Sequence, residues 1–329
     1  MALVLAIETS CDETAVAILH GTTLLASEVA SQIALHQAYG GVVPEVASRN
    51  HLRTLKPVIQ EALRKAHLSI GDLDAFAATC GPGLATSLMI GTSAAKGLAV
   101  ARGKPYLAVN HLEGHLLSPF FGTEVRPAVA LVVSGGHTLL VEIEAFGRYR
   151  RLGQTQDDAA GEAFDKVGKL LGLPYPGGPH VNRLAQDGDP RRYDFPRSML
   201  HSGDFHFSFS GLKTSLRYLL PKLETLHLPD LCASFQEAVV EVLVTKTLRA
   251  AAVTRRRLIA VSGGVSCNSR LRERFREGCA ERGVELLIAE PALCTDNAAM
   301  IGFVAALKLA HGETSPLTAD IDPNLRLVA

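Results

Sequence analysis

The chain has no excess of charge of either sign. Its 33 lysines and arginines face 33 aspartates and glutamates, for a formal net charge of +0. That excludes a globally basic nucleic-acid binder and leaves only local basic patches for such a role. There is no Cys-x-x-Cys pair among the six cysteines, Cys11, Cys80, Cys232, Cys267, Cys279 and Cys294, which argues against a thiolate zinc site. The cysteines are scattered through apolar or glycine-rich surroundings, the pattern of reduced thiols in cytosol. No basic start precedes the apolar residues 1–7, and Glu8, Asp12 and Glu13 follow at once. Neither a signal peptide nor a membrane span is expected there. Elsewhere charge or glycine interrupts the longer apolar stretches, so the expectation is a soluble, cytoplasmic protein with no membrane role.

What is present is ample apolar content, 47% over 329 residues, enough for two domains with their own cores. Residues 3–19 read as strand, polar turn, strand. The same pattern returns at 128–143, around Ser134-Gly135-Gly136-His137-Thr138. Two such hairpins suggest an internal duplication. Strands are expected at 73–79, 105–109, 258–261 and 285–288. Helices are expected at 46–67, 85–100, 157–171, 231–253, 268–281 and 296–310. Pro57 predicts a kink or break in the first of these, and residues 231–253 read as amphipathic. Residues 188–211 read as an irregular excursion. The alternation gives an α/β class, with the layout of an actin-like ATPase fold. The expected lobes are 1–125 and 126–329 around a nucleotide cleft, with the final helix, 296–311, free to pack back on the first lobe.

The chemistry starts at His111-Leu112-Glu113-Gly114-His115. Histidines at i and i+4 share a helix face and suit one metal ion. Asp296 is the best third ligand; its structural role would be as N-cap of the last helix. A set of imidazole and carboxylate suits iron or zinc, with open positions for water or a substrate oxygen. His137 is placed to approach the same metal or a phosphate, or to serve as a turn histidine satisfied by backbone. The glycine turns at Ser134 and at Ser262-Gly263-Gly264-Val265-Ser266, with Gly177-Gly178 as a third glycine pair, suit backbone N–H contacts to an anion or sugar. Asp12 and Glu13 occupy the first hairpin turn, which an actin-like fold turns to the nucleotide. Asp165 sits on a helix able to offer a carboxylate to a ribose. Each of these acids is also a candidate for local hydrogen bonds.

Taken together, 7–14 (Ile-Glu-Thr-Ser-Cys-Asp-Glu-Thr), Gly81-Pro82-Gly83, the two-histidine motif, the Ser134 turn, 160–166 (Ala-Gly-Glu-Ala-Phe-Asp-Lys), Tyr175-Pro176-Gly177-Gly178-Pro179, Gly263-Gly264-Val265-Ser266 and Thr295-Asp296-Asn297 make the chain closely resemble the bacterial TsaD family. These are tRNA threonylcarbamoyladenosine synthesis proteins once described as O-sialoglycoprotein endopeptidases. The resemblance covers nearly the whole chain. It implies a duplicated actin-like/Hsp70-like (ASKHA) ATPase-superfamily fold. It also implies transfer of a threonylcarbamoyl group from threonylcarbamoyl-AMP to the N6-amino group of an adenosine. That adenosine lies immediately 3′ of the anticodon, in tRNAs reading codons that begin with A. Carried over by position, His111, His115 and Asp296 match metal ligands, with iron(II) the usual metal. Val132, Val133, Ser134, Gly135, Gly136, Asp165, Gly178 and Asn268 match substrate-binding positions, and His137 adjoins them. Where the family can carry a carboxylate after the Gly-Gly-Pro loop, this chain has Asn182, which removes that charge. The implied partners are tRNA, an inactive paralogue of the same fold, a small P-loop ATPase, and the synthase that supplies threonylcarbamoyl-AMP.

Three other readings compete. A metallopeptidase needs a glutamate directly after the first histidine, and Glu113 is two residues on. An actin-like metabolite kinase leaves the two histidines without a role. A non-catalytic scaffold would not need His111, His115 and Asp296 together. Cys11 is the nearest candidate for a covalent nucleophile. Basic clusters at 148–151 and 191–197 are the best candidates for phosphate contacts, with ordinary solvated surface as the alternative.

Overall fold

A computed structural model describes residues 1–328. In chain order the elements are β1 (Leu3–Glu8), β2 (Glu13–His20), β3 (Thr23–Ser31), α1 (Ile33–Gln37), α2 (Pro44–Ala66), β4 (Ala75–Gly81), α3 (Ala85–Arg102), β5 (Tyr106–Asn110) and α4 (His111–Leu117). There follow β6 (Ala128–Val133), β7 (Thr138–Ala145), β8 (Arg148–Gln154), α5 (Ala160–Leu170), α6 (Gly177–Leu184), α7 (Ser210–Leu219), α8 (Leu228–Thr254), β9 (Leu258–Ser262), α9 (Ser269–Arg282), β10 (Glu285–Ile288), α10 (Pro291–Cys294) and α11 (Ala298–Ala310). The chain divides into two compact units. One holds residues 1–124 and the segment from Thr295 onward; the other holds residues 125–294.

Each unit is built on one mixed sheet. The orders are β3-β2-β1-β4-β5 and β10-β9-β6-β7-β8. In the first, β1 pairs antiparallel with β2 and parallel with β4. In the second, β6 pairs antiparallel with β7 and parallel with β9. The second order, reversed, repeats the topology of the first. The central strands are continuous apolar runs because helices cover both faces of the parallel part. β4 and β6 are buried at every position. The outer strands β3 and β8 are partly exposed, β3 mixing polar with apolar residues and β8 carrying three arginines. Neither is a continuous buried apolar run, which is why they escape a reading based on hydrophobicity.

Several sequence expectations need correction. Pro57 does not break α2, which runs from Pro44 to Ala66. Pro57 and Arg53, whose carbonyl loses its partner, are both exposed, so water replaces the missing hydrogen bond. α8 is not amphipathic. Six consecutive residues, Leu231 to Gln236, are all buried, and six helical positions cover every face. α5 starts at Ala160 rather than 157, because Asp157 turns back to accept from Ser208 Oγ, the Phe209 N–H and Ser210 Oγ. The helices α6 and α7 were not expected. α6 begins inside the Gly177-Gly178 loop, and α7 ends the otherwise irregular excursion.

Candidate functional site

The two-histidine motif is the whole of α4, and β5 runs straight into it. Asn110 caps the helix, accepting from the Leu112 N–H at 2.8 Å and the Glu113 N–H at 3.4 Å. This fixes where His111 begins its turn. Gly114 lets α11 pack closely: a Cβ there would lie 3.0 Å from side-chain atoms of both Ile301 and Met300 of α11. That close approach brings the start of α11 beside the histidines. Asp296 was expected to open this helix as a possible N-cap. The cap is instead Asn297, which accepts from the Met300 N–H at 2.9 Å. A short helix, α10, precedes it, after the strand β10. Asp296 is thereby left out of the helix.

His111, His115 and Asp296 do come together. One ligand atom of each lies within 4.8 Å of the other two. Asp296 Oδ1 is 3.5 Å from His111 Nε2 and 3.2 Å from His115 Nε2. Metal bonds of about 2.0–2.2 Å put neighbouring donors about 3.0–3.5 Å apart, so the set fits one ion. The rings stand at 88° with centroids 4.7 Å apart. Behind His111 lies Glu8, fully buried on β1. Its Oε2 is 3.0 Å from His111 Nδ1 and accepts from Thr79 Oγ1 at 2.6 Å. Its Oε1 accepts from the Ser10 N–H. A carboxylate on Nδ1 sets the tautomer that leaves Nε2 for a metal. His115 Nδ1, by contrast, is buried without a hydrogen-bond partner, so no carboxylate behind that ring sets its tautomer.

The electrostatics match this layout. Burial opposes the charge on His111, but Asp296, Glu8 and the Glu8 hydrogen bond outweigh it and push the pKa up to about 9. Burial would raise Glu8, yet the charge and hydrogen bond of His111 hold it low. Nearby, burial, Asp12 and Asp296 push Glu13 up to about 9. Burial, Asp12 and Asp296 also push the Cys11 thiol well up, so Cys11 is no ready thiolate nucleophile. The turn bearing Asp12 and Glu13 is pinned by His51, whose Nε2 bonds the Cys11 carbonyl at 2.9 Å and whose Nδ1 bonds Thr14 Oγ1 at 2.7 Å. Glu113 faces Lys308 Nζ at 3.2 Å. This ion pair, with its place two residues after His111, does not suit the base of a metallopeptidase.

The glycine turns belong to the second unit. Val132 and Val133 end the buried strand β6. Ser134 N–H donates to the His137 carbonyl at 2.8 Å, and His137 N–H donates to Ser134 Oγ at 3.2 Å. Gly135 and Gly136 are exposed, and a Cβ on either would meet nothing within 4 Å. Neither a positive φ nor protein packing demands glycine there. Gly263 is different. Its φ is +88° and a Cβ would lie 2.4 Å from the Val133 carbonyl oxygen. Asp165 Oδ1 accepts from the Gly177 N–H at 2.7 Å, so the carboxylate holds the first turn of α6, while Gly178 beside it faces open space except for Phe164 Cβ at 3.8 Å. Asn182 Oδ1 accepts from Ser269 Oγ at 2.9 Å. Asn268 caps α9 and donates to Gln236 Oε1 at 2.6 Å. Of the basic clusters, Arg150 pairs with Glu142 and Arg197 with Glu241.

Sequence reasoning missed Glu8 as a site residue. The signal available was a lone carboxylate at the end of an otherwise apolar strand, where only a buried partner explains it.

The chain matches known proteins along most of its length. The model of the family TsaD, tRNA N6-adenosine threonylcarbamoyltransferase, matches residues 23–303. A relative from Geobacter metallireducens named tRNA N6-adenosine threonylcarbamoyltransferase is 53% identical over 324 residues, 97% of this chain and 95% of the relative. One of the same name from Bdellovibrio bacteriovorus is 50% identical over 339 residues, 99% and 98% of the two chains. Among solved structures, HypF from T. kodakarensis aligns with a TM-score of 0.67 at 14% identity, over 94% of this chain and 48% of that one. This chain thus spans about half of HypF. Component A of the Acidaminococcus fermentans (R)-2-hydroxyglutaryl-CoA dehydratase aligns with a TM-score of 0.58 at 16% identity, over 94% of this chain and 100% of that one. At such identities the structural likeness speaks for the fold alone: two α/β units in a duplicated actin-like (ASKHA) arrangement.

Proposed function

This chain belongs to the TsaD family of tRNA N6-adenosine threonylcarbamoyltransferases, and on that premise we propose that His111, His115 and Asp296 hold one divalent metal at its transfer site. The observation that carries this reading is the set of three donors within 4.8 Å, with Glu8 on the far nitrogen of His111. Iron(II) is the metal proposed, with zinc the alternative that nitrogen and oxygen donors also suit. When bound, the metal supplies a Lewis acid for the phosphate or carbamoyl oxygens of the substrate.

The transferase acts on tRNA. The acceptor proposed is the N6-amino group of the adenosine immediately 3′ of the anticodon, in tRNAs reading codons that begin with A. The donor is threonylcarbamoyl-AMP. The amine nitrogen attacks the carbamoyl carbon, the carbon–nitrogen bond forms, the bond to the phosphate oxygen breaks, AMP leaves, and the amine gives up one proton to solvent. An exocyclic amine is a poor nucleophile, so positioning must supply much of the rate. Glu8 holds His111 with Nε2 forward. Val132 and Val133 fix the end of β6, from which the Gly135 and Gly136 N–H groups offer donors to developing negative charge. Ser134 and His137 hold that turn closed through their mutual hydrogen bonds. Gly178 and Asn268 accept the nucleoside part, with Asp165 and Asn182 fixing the ends of the helices that carry them. Asp12 and Glu13 face the nucleotide. The partners proposed are an inactive paralogue of the same fold, a small P-loop ATPase and a threonylcarbamoyl-AMP synthase, all in the cytoplasm. No helix among the described residues is long and apolar enough to cross a membrane.

Elemental analysis after anaerobic purification tests the metal reading. About one iron per chain in the wild type, lost in His111→Ala and Asp296→Ala with the fold retained, is expected. Equal metal in all three proteins would refute it.

A further inference from the structure

After α11 the chain runs back along the sheet of the first unit, to which it belongs. Ser315 pairs antiparallel with Tyr106 on the edge strand β5. Its N–H donates to the Tyr106 carbonyl at 2.8 Å, and its Oγ accepts from the Ala108 N–H at 2.9 Å. Lys96 Nζ donates to the Ala319 carbonyl. At the end of β4 the Asp322 N–H donates to the Cys80 carbonyl at 2.8 Å, and the Pro323 carbonyl accepts from the Gly83 N–H at 3.2 Å. The Arg326 carbonyl accepts from Asn110 Nδ2 at 3.0 Å. A Cβ on Gly81 would lie 1.9 Å from the Asp322 carbonyl oxygen, so only glycine lets the segment cross there.

Two of these contacts lead to His111. A carbonyl accepts only from the NH2 end of an amide, so Arg326 turns Asn110 Oδ1 toward the Leu112 and Glu113 N–H groups that it caps. Asn110 directly precedes His111, and its cap sets where α4 begins. On the other side, Gly83 presses on Ser10: a Cβ there would lie 2.6 Å from the Ser10 carbonyl oxygen, which accepts from the Leu84 N–H at 2.8 Å. The Ser10 N–H donates to Glu8, and Ser10 Oγ lies 3.2 Å from His111 Nδ1. We propose that residues 315–326 are a positioning strap for the metal site. They hold His111 through Asn110 and, by way of Gly83 and Ser10, hold the Glu8 side of its ring. The proposal rests on the reading of His111, His115 and Asp296 as metal ligands. By linkage, metal and strap must stabilise each other equally.

The test measures zinc affinity by competition with a chromophoric chelator, in wild type, in Asn110→Ser and in a variant ending at Ala319. Serine caps a helix about as well as asparagine but has no amide to give Arg326. Both variants are expected to bind zinc about tenfold more weakly, the loss typical of a support behind metal ligands. Hydrogen exchange of the wild type, with and without zinc, is the second readout: zinc should slow exchange in peptides covering 319–326. If the shortened variant does not fold, Asn110→Ser and the wild-type exchange decide. Wild-type zinc affinity in folded variants, even with a lower melting temperature, would reduce the strap to a purely structural element and overturn the proposal. So would exchange in 319–326 that zinc leaves unchanged. A wild type that binds no zinc would instead remove the metal reading, and the proposal with it.

Discussion

Replacing Glu8 by glutamine removes one charge from behind His111 and keeps the shape. The carboxylate accepts from three donors: Thr79 Oγ1 and His111 Nδ1 on Oε2, and the Ser10 N–H on Oε1. An amide cannot satisfy all three. If its oxygen takes the Oε2 place, its NH2 faces the Ser10 N–H. If it flips, the NH2 faces His111 Nδ1 and pushes the ring proton onto Nε2, the nitrogen meant for the metal. Losing such a partner behind a metal ligand costs about 10–100-fold in affinity, or about 1.4–2.7 kcal/mol. Proton competition changes the size of the effect with pH. With His111 at about 9 in the metal-free protein, a metal must displace a proton at pH 7, and the apparent affinity falls about tenfold per pH unit below that value. Glu8→Gln removes one of the causes that raise His111, so the variant meets less competition at neutral pH. The expected loss is therefore the full 10–100-fold at pH 9.5 and visibly smaller at pH 7. A titration against a chromophoric chelator at both pH values reads it, with circular dichroism as the fold control. A folded variant that binds metal as tightly as wild type at pH 9.5 would refute the reasoning.

Other perturbations separate neighbouring roles. Asn297→Ala should destabilise by about 1 kcal/mol through loss of the α11 cap while keeping the metal site, whereas Asp296→Ala should lose metal with little change in melting temperature; the reverse pattern would contradict the division between them. Gly263→Ala should lower the melting temperature by several degrees, since it meets both a positive φ and the Val133 carbonyl. Gly135→Ala should melt as wild type yet bind threonylcarbamoyl-AMP more weakly by calorimetry; unchanged binding would remove the turn from the ligand site. Burial holds the pKa of His51 below its ordinary value, with the Cys11 carbonyl opposing. The unfolded chain takes up a proton near pH 6.5 that folded His51 refuses, so stability falls as pH drops through that value. His51→Gln should flatten the slope of melting temperature between pH 7 and 5.5, and an unchanged slope would count against this assignment.

The buried strands and the hairpin repeat were legible because they are apolar runs broken by polar or glycine turns. The edge strands β3 and β8 were not, since half-exposed strands such as Arg148–Gln154 carry charge where a core strand carries valine. The three residues of the proposed metal site could be named from helical spacing and from the family resemblance. The pairing of Asp296 with the histidines was less accessible, because Asn297 and not Asp296 caps α11 and because Gly114 lets that helix pack close to α4. Glu8 lay in plain view in the first strand, but only its burial and its distance to His111 Nδ1 give it a role. Asp165 shows the opposite case: a carboxylate read as a ribose ligand has one oxygen engaged by the Gly177 N–H. Local hydrogen bonds of this kind leave no periodic trace in sequence.

The most direct test of the central claim is nucleoside mass spectrometry of unmodified tRNA incubated with this protein, its proposed partners, threonine, bicarbonate and ATP. A parallel reaction carries His111→Ala. Threonylcarbamoyladenosine made by the wild type and absent with the variant is expected. Equal product from both would contradict the metal site, and no product from the wild type, beside a known transferase working with the same partners, would contradict the account as a whole.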